Sequence, residues 1–583
     1  MFRKNEDHRQ QSYFSGTQLL PENLRERLEQ SWAGTFYREV FCRIDEEVFG
    51  VLYSGDRASR PNVPVNVLMG VDILKSGFGW SDDELLEQVS YNLQVRYALG
   101  LNDLRAAVFT LRTLYNFRRR VREYAAQTGI NLYQQVFESV TDEQLAAVEI
   151  ATGWQRMDST QVLSNLANWS RLELLVAVVQ EVHEALGAAV QEQWAERAAP
   201  YLQGRPHQVS YRLKSKDTGK HLQRLGEILA AWEQELAQTA PTSAALALVQ
   251  RVLAEQYNCT ESGAVTLRPA AEVPSDSLQS PHDPEATYRV KGGQAYRGGY
   301  VANVSETANP ENDVQLLTDL QVAPNITDDA QLLRRSLARQ AARNIAVHQV
   351  TGDGGYSGPQ AEAACAEHEV ALRTTRLRGG RSGEDTWGWE AYTWEVDAQG
   401  CPLRVTCPAG HTAEIAPARK PQRYIARFAR QACEACPYFK EKCRVEPRVY
   451  KPPSLYVTQR AVTVARQRQQ LCPEDRRIRA VVEATVRSLK HAFPTHKMPV
   501  RGLTRVRMLL YGAALMVNMH RLHRHAEKKE QNAAENALSF LSHALYTLWH
   551  ALSALHSGFQ RLAAPLSTSF GFSPPPTFDV YFS

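Results

Sequence analysis

The sequence lacks the features of a membrane or secreted protein. It has no uninterrupted apolar run of the roughly 18 residues that a membrane-spanning helix needs. Its first residues, Met1 to Arg9, are largely polar, and no apolar signal core follows them. We therefore predict a cytoplasmic protein with no membrane partner, in which thiols stay reduced.

Nucleotide-binding motifs are also missing. The sequence contains neither a phosphate-binding P-loop nor a dinucleotide fingerprint, so we predict no nucleotide cofactor. The net charge of +4 is too small to indicate a nucleic-acid ligand by itself. Because thiols stay reduced, the nine cysteines predict metal ligands or small buried side chains rather than disulfides.

Charge is concentrated in one segment. From Arg419 to Lys490, Lys and Arg strongly outnumber Asp and Glu, so the rest of the chain is net acidic. Such a segment is usually a solvated face, but this one runs directly into a helix that carries Glu483. A polyanionic ligand is the alternative that this position favours.

Hydrophobic spacing predicts an α/β protein (α+β mixed and helix-rich) of several domains. Residues 1–140 predict a helical domain for DNA binding or dimerisation. The predicted core comprises 145–164, 285–370 and the helices of 471–525. Two insertions are predicted to interrupt it: a helical insertion with a linker (165–284) and a β-rich basic insertion with clustered cysteines (371–470). The C-terminal segment (526–583) is predicted to be helical and then loosely ordered.

Local signals place several element boundaries. Capping-box patterns at Ser81–Glu84 and Thr141–Gln144 each predict the start of a helix. Residues 155–163 predict a strand that carries Asp158, and residues 345–350 predict a buried strand with Asp353 just past its end. Residues 328–343 predict an amphipathic helix.

Carboxylates at strand ends suit divalent metal, since Mg²⁺ prefers hard oxygen ligands and strand ends open into a crevice. A lone aspartate at such a position is more often a cap or a turn residue. The hypothesis depends on the combination of Asp158 and Asp353 with Glu483. Glu483 shares one face of a predicted helix with Arg479, Arg487 and Lys490, which suits a metal beside a phosphate backbone. The simpler interpretation of that face is a solvated row of salt bridges.

Two further groups of residues are candidates for binding. A predicted helix near residue 117 carries Arg118, Arg119 and Arg120, and suits either DNA contact or a role in dimerisation. Four cysteines have the residue type for a closed structural zinc site, although their spacing is not that of a standard zinc finger. The predicted ligands are Cys407, Cys433, Cys436 and Cys443, with Cys401 and His411 as spare candidates, and buried small residues are the alternative interpretation.

The chain resembles the bacterial insertion-sequence transposases of the DDE type. That family has a Tyr-x2-Arg-x3-Glu-x6-Lys signature, which this chain matches at Arg479, Glu483 and Lys490. The Tyr position holds Arg476 instead. The segments that begin Asp158-Ser-Thr-Gln and Asp353-Gly-Gly-Tyr resemble the two aspartate motifs of the family, and the likeness extends over roughly residues 15 to 525.

The resemblance implies an RNase H-like mixed sheet flanked by helices, in which Asp158, Asp353 and Glu483 bind two Mg²⁺ (or Mn²⁺) ions. It implies cleavage at the ends of an insertion sequence, followed by attack of the freed 3′-OH on target DNA. The expected partners are double-stranded DNA and a second copy of the chain. The expected DNA contacts on the Glu483 helix are Arg476, Arg479, Arg487 and Lys490. The expected location is the bacterial cytoplasm and nucleoid. The alternatives are an inactive DNA-binding descendant, a nuclease on the same fold without strand transfer, and a zinc-stabilised scaffold protein.

Overall fold

The computed structural model describes most of the chain. The described residues are 1–6, 8, 16–17, 19–55, 61–101, 103, 109–260, 264–291, 293–374, 386–439, 441–469, 475–493 and 497–570, and the side chains of 475–480 and 558–570 are outside that set. The chain forms two compact units, Met1–Arg521 and Leu522–Ser583. The predicted class is confirmed, because the protein mixes helices and sheets and is rich in helix.

The first part of the chain is helical. Its helices are α1 (Glu22–Gln30), α2 (Trp32–Glu39), α3 (Val65–Phe78), α4 (Asp82–Tyr91), α5 (Leu93–Ala98), α6 (Leu111–Thr128) and α7 (Leu132–Ala147). The capping box at Ser81 is present, with reciprocal side-chain and backbone hydrogen bonds to Glu84. The start predicted at Thr141 is wrong: α7 is capped by Asn131 and runs through Thr141, whose side chain is fully buried.

A helical insertion follows strand β1 (Trp154–Leu163). It comprises α8 (Arg171–Ala185), α9 (Ala188–Leu202), α10 (Pro206–Arg212), α11 (Thr218–Thr239) and α12 (Ala244–Gln256), and a short hairpin of β2 (Tyr257–Cys259) and β3 (Val265–Leu267) ends it. The insertion has its own apolar core around Trp232, which is completely buried. The rest of the chain therefore does not have to cover these helices.

The central sheet contains β1 and five later strands. These are β4 (Thr287–Lys291), β5 (Gln294–Thr307), β6 (Leu317–Pro324), β7 (Gln349–Gly352) and β8 (Ala371–Thr374), with helices α13 (Asp329–Ala342) and α14 (Pro359–Ala366) between them. The order is β4-β5-β1-β7-β8, and β6 also pairs with β5. Strands β5 and β6 continue the sheet antiparallel on one side of β1, while β7 and β8 run parallel to β1 on the other side.

Strand β7 begins four residues later than the sequence predicts. The preceding residues end α13 instead: Asn344 has a positive φ of 58°, and the Ile345 N–H donates to the Gln340 carbonyl. A helix end of this kind uses backbone donors that a strand would need. Strand β1 and α13 match their predicted extents closely.

A β-rich module follows β8. It contains β9 (Thr393–Val396), β10 (Pro402–Thr406), β11 (Thr412–Pro417), β12 (Arg423–Arg427), α15 (Arg430–Glu434), β13 (Ser454–Thr458) and α16 (Gln459–Gln469). Its five strands form an antiparallel sheet in the order β13-β12-β11-β10-β9, over a small core that includes Cys407 and Cys433. The module thus has a core separate from the central sheet.

Two helices complete the described chain, α17 (Asp475–Leu489) and α18 (Leu503–Phe570). Helix α17 contacts β1 and β7. The first part of α18 packs closely on α3, since a Cβ at Gly77 would lie 2.4 Å from the Met516 side chain. The tail after residue 570, predicted to be loosely ordered, lies outside the described residues. No helix in the described ranges has the length and apolar character needed to cross a bilayer.

Candidate metal and nucleic-acid site

Asp158 and Asp353 lie at the same level on neighbouring parallel strands. The register pairs Arg156 of β1 with Thr351 of β7, so Asp158 within β1 is at the level of Asp353, which comes two residues after Thr351. Adjacent strands in a sheet are roughly 5 Å apart. Asp353 directly follows the end of β7, where the chain turns, and Asp158 is half-buried within β1. The fold therefore brings these two predicted carboxylates together.

A buried tyrosine lies beneath them. After Asp353 the chain makes a short 3-10 turn over Gly354–Tyr356, and the Asp353 carboxylate accepts a hydrogen bond of 2.7 Å from the Gly355 N–H. The Tyr356 hydroxyl donates to the Asn303 amide oxygen at 2.5 Å. Burial raises the pKa of Tyr356 well above its usual value, and the charges of Asp329, Asp158 and Asp353 raise it further. Three carboxylates therefore act by their charge on the same phenol.

Asp329 is a carboxylate that the sequence analysis did not select. It lies in the first turn of α13, is almost completely buried, and accepts a 2.8 Å hydrogen bond from the Ser159 hydroxyl. A Cβ at Gly355 would lie 2.4 Å from Asp329 Oδ2 and 2.7 Å from Asp353 Oδ1, so these two oxygens are at most 5.1 Å apart. The sequence signal that could have identified Asp329 is the Asp328-Asp329 pair. Acidic residues are common at the start of a helix, so the predicted start of α13 accounted for that pair without a binding site.

Lys490 is a cation that contacts the strand carrying Asp158. Its ammonium donates to the Thr160 hydroxyl at 2.5 Å and to the Gln161 carbonyl at 2.6 Å, both on β1. Burial lowers the pKa of Lys490 to about 8, and the charge of Asp158 opposes that shift. The residue predicted to hold a phosphate therefore lies against the strand that carries Asp158.

Glu483 is exposed on α17. It precedes Lys490 by seven residues, which puts both on the same helix face about 10 Å apart along the axis. Helix α17 is held by a buried network in which the Thr485 hydroxyl donates to Glu306 at 2.8 Å. Arg156 and Arg521 form ion pairs with the same carboxylate, both at 2.6 Å. This network fixes the helix from a different face than the one that carries Glu483.

The three predicted carboxylates are not gathered into one cluster. In the part of the chain that the structure describes, no three His, Cys, Asp or Glu side chains are close enough together to hold a metal ion. The structure brings Asp158 to Asp353, adds Asp329 and Lys490, and leaves Glu483 exposed on a helix that contacts both strands. In residue type, all these carboxylates fit a hard divalent cation.

The predicted DNA contacts fall into different settings. Arg487 and Arg120 are exposed, Arg119 is half-exposed and pairs with Glu123, and the side chains of Arg476 and Arg479 lie outside the described residues. Arg118 instead forms ion pairs with Asp72 and Asp82 inside the helical domain. Because the Arg118 guanidinium is paired with these two carboxylates, it stabilises the helical domain and is not among the proposed DNA contacts.

Next to Arg118 is a cavity of about 320 Å³ between the helical domain and the start of α18. Its lining includes Arg122 and Arg505, and neither guanidinium has a carboxylate within 4 Å among the described residues. Burial lowers the pKa of Arg122, and the neighbouring positive charge of Arg505 lowers it further. Two like charges close together at a cavity favour an anionic ligand.

The four candidate zinc ligands all belong to the β-rich module, and three of them act by their charge on the fourth, Cys433. Cys433 is buried in α15, and burial raises the pKa of its thiol to about 11, with smaller contributions from Cys443, Cys407 and Cys436. The Cys407 N–H donates to the His411 carbonyl, and the Cys436 N–H donates to the Cys433 carbonyl. The thiols thus share one neighbourhood, although they do not form a closed metal-binding cluster.

Comparison with protein families matches two parts of the chain. The chain matches a family described as transposase DDE domain over residues 406–523, and one described as transposase domain (DUF772) over residues 24–120. The first match contains Glu483 and Lys490 but neither aspartate. No curated protein and no solved structure gives a significant match.

The two matched domains define a DNA-processing enzyme, whose substrate class is DNA. Within that class, the two matches together support an insertion-sequence DDE transposase. Divalent metal use is a general property of that family.

Proposed function

We propose that this transposase cleaves DNA at the ends of an insertion sequence and joins the freed 3′-OH to target DNA, using an RNase H-like core. The observation that supports this most strongly is the shared level of Asp158 and Asp353 on adjacent parallel strands. The mixed sheet, with helices before and after its parallel strands, is consistent with such a core. No covalent protein–DNA intermediate is required, so no Ser or Tyr nucleophile is invoked.

Asp158, Asp353 and Glu483 are the residues that would hold two Mg²⁺ or Mn²⁺ ions. Such ions, when bound, supply charge neutralisation at the phosphorus and a more nucleophilic attacking oxygen. The fit rests on donor chemistry, because Asp158 and Asp353, two of the three proposed ligands, both act on Tyr356 together with the neighbouring Asp329, and like charges that share a site favour a cation. Asp329 acts through its neighbours as a positioning residue, since it holds Ser159 and lies against the Asp353 turn.

The cations have separate roles in this proposal. Lys490 stays on β1, where its charge steadies the Asp158 carboxylate. Arg476, Arg479 and Arg487 precede it on α17 and contact DNA phosphates, which orient the duplex without reading its sequence. Arg119, Arg120, Arg122 and Arg505 extend the contact to the helical domain. A homodimer would bring two element ends together.

The cysteines have a structural role in the same proposal. Cys407, Cys433, Cys436 and Cys443 bind one Zn²⁺, which closes the small module as a tetrahedral site without an open position for catalysis. Their shared neighbourhood supports this assignment. The basic residues around the module suit a position beside DNA.

The test is cleavage of supercoiled plasmid that carries the inverted repeats flanking the gene, with and without Mg²⁺. Joined products are expected from the wild-type protein, and Glu483→Gln should keep DNA binding while losing cleavage. Glu192→Gln, an exposed change in the helical insertion, is the matched control and should cleave normally. Nicking without joining would indicate a nuclease, a gel shift without cutting would indicate a binding protein, and unchanged cleavage by Glu483→Gln would refute the assigned site.

A further inference from the structure

The second compact unit exposes a row of large apolar side chains. In α18 six leucines are between 57% and 70% exposed. They are Leu538, Leu541, Leu545, Leu548, Leu552 and Leu555. Single exposed leucines are ordinary, but a contiguous row of this size on a soluble protein marks an interaction surface.

The spacing of these leucines is regular. Successive members are three, four, three, four and three residues apart, which is the a/d pattern of a heptad repeat. The same spacing continues in the sequence through Phe559, Leu562 and Leu566. Four heptads in one register are the signature of a helix that pairs with another helix of the same kind.

On one side of the leucine row the residues favour close approach of a like helix. One flanking position holds Ala537, Ala544, Ala551 and Gly558 at intervals of seven, so no bulky side chain keeps a partner away on that side. From Asn536 to Gln560 the sequence has no Asp, Glu, Lys or Arg. Two copies therefore meet without repulsion between like charges.

A membrane surface fits this helix less well. Helices that lie on membranes carry Lys and Arg on their polar face, and this segment has none there. The available area suits a protein partner: six leucines with roughly 100 Å² of apolar surface each, counted in two copies, give about 1,200 Å². That value reaches the lower limit of a stable protein–protein interface, about 1,200 Å².

We propose that residues 538–557 form a coiled coil with the same segment of a second copy of this chain. The leucine row is the seam, and the small residues at 537, 544 and 551 line one side of it. The pairing needs no DNA and no metal. It gives the homodimer of the proposed function a defined surface, but it stands or fails separately from the cleavage chemistry.

The test is the mass of the full-length protein in solution, measured by light scattering and sedimentation at micromolar concentration without DNA. The wild type should be a dimer, or a higher oligomer of the same helices. Leu545→Ala with Leu552→Ala should raise the dissociation constant at least about 100-fold while keeping the helix, because alanine is a strong helix former. His543→Glu with His550→Glu, on the face opposite the seam, is the matched control and should stay associated.

Three outcomes would overturn the proposal. They are a monomeric wild type, an assembly that the leucine variant leaves intact, and a monomer that sediments with phosphatidylcholine–phosphatidylglycerol vesicles. Far-ultraviolet circular dichroism shows whether the variant remains helical. If the double leucine variant loses its helix, a second variant, Leu548→Met, is measured instead. Leu548→Met keeps the apolar volume and should retain the assembly, so loss of association in that variant would also contradict the proposal. Plasmid cleavage is measured in parallel, so failure here leaves the proposed DNA chemistry independently testable.

Discussion

At the scale of single residues, Gly355 is the point where two carboxylates approach the backbone most closely. A Cβ there would lie 2.4 Å from Asp329 Oδ2 and 2.7 Å from Asp353 Oδ1, both closer than real Cβ contacts. Its backbone does not require a glycine, since its φ is not positive. We predict that Gly355→Ala displaces Asp353 and reduces plasmid cleavage at least about tenfold, with DNA binding retained.

The control for this change is Gly187→Ala. A Cβ at Gly187 meets nothing within 4 Å, so cleavage and melting temperature should match those of the wild type. Cleavage rates on plasmid and affinities for a short duplex are measured for both variants. Normal cleavage by Gly355→Ala would mean that the Asp353 turn is not part of the reacting site.

Lys490 makes a pH-dependent contribution to stability. Burial lowers its pKa from 10.5 to about 8, so the folded protein binds this proton less tightly than the unfolded chain does. The cost of burying the charge is complete below pH 8 and disappears as pH rises through 10.5. We predict that the free energy of unfolding of the wild type, relative to Lys490→Met, rises by about 3 kcal/mol between pH 7 and pH 10.5.

Urea unfolding of both proteins at several pH values measures that difference. The lost hydrogen bonds to Thr160 and Gln161 lower the stability of Lys490→Met by an amount that does not depend on pH, so they cancel in the comparison. A constant difference across the range would show that the ammonium is solvated, contrary to its contacts with β1.

At the scale of elements, the sequence predicts those parts whose signals are local. The alternation along β1, the apolar stripe of α13 and the capping box before α4 each depend on neighbouring residues, and each matches the structure closely. The start of β7 differs because Ile345 is used to close α13. The Thr141 capping box is absent because tertiary burial inside α7 outweighs a local pattern.

In the candidate site, too, local sequence signals predict some features, and contacts between distant residues determine the others. The positions of Asp158, within β1, and Asp353, just past the end of β7, follow from strands that the sequence indicates and from a register that it does not. Asp329 and the contacts of Lys490 depend on pairings across 170 and 330 residues, for which no local pattern exists. The commitment of Arg118 to Asp72 is equally non-local.

The β-rich module permits a test of metal dependence. Because the charges of Cys407, Cys436 and Cys443 all act on the Cys433 thiol, we predict about one zinc per chain and its loss in Cys433→Ser. Removal of the metal by a chelator should lower the melting temperature of the wild type and leave that of Cys433→Ser unchanged. Cys259→Ser, an exposed cysteine in β2, is the control and should keep its zinc. A wild-type protein that contains no zinc after metal-supplemented expression would contradict the assignment.

At the scale of the whole molecule, the small net charge conceals two separate regions of positive charge. The segment that precedes Glu483 carries the basic surplus, while Arg122 and Arg505 add a second positive region at the cavity between the helical domain and α18. A DNA duplex is rigid on the scale of a protein surface. Two separated groups of cations that contact its phosphates therefore orient it better than one group does. Binding should therefore depend on both regions.

Salt dependence measures the second region directly. Each phosphate contact that is lost should reduce the slope of log affinity against log salt by about 0.9. We predict that Arg122→Gln with Arg505→Gln lowers the slope for a short duplex by about one to two, equally for any sequence, because phosphate contacts carry no base information. Arg334→Gln, which removes an exposed cation paired with Glu367, should leave the slope unchanged. If the double variant binds with the wild-type slope, the duplex does not pass this cavity, and the helical domain contributes to assembly rather than to DNA contact.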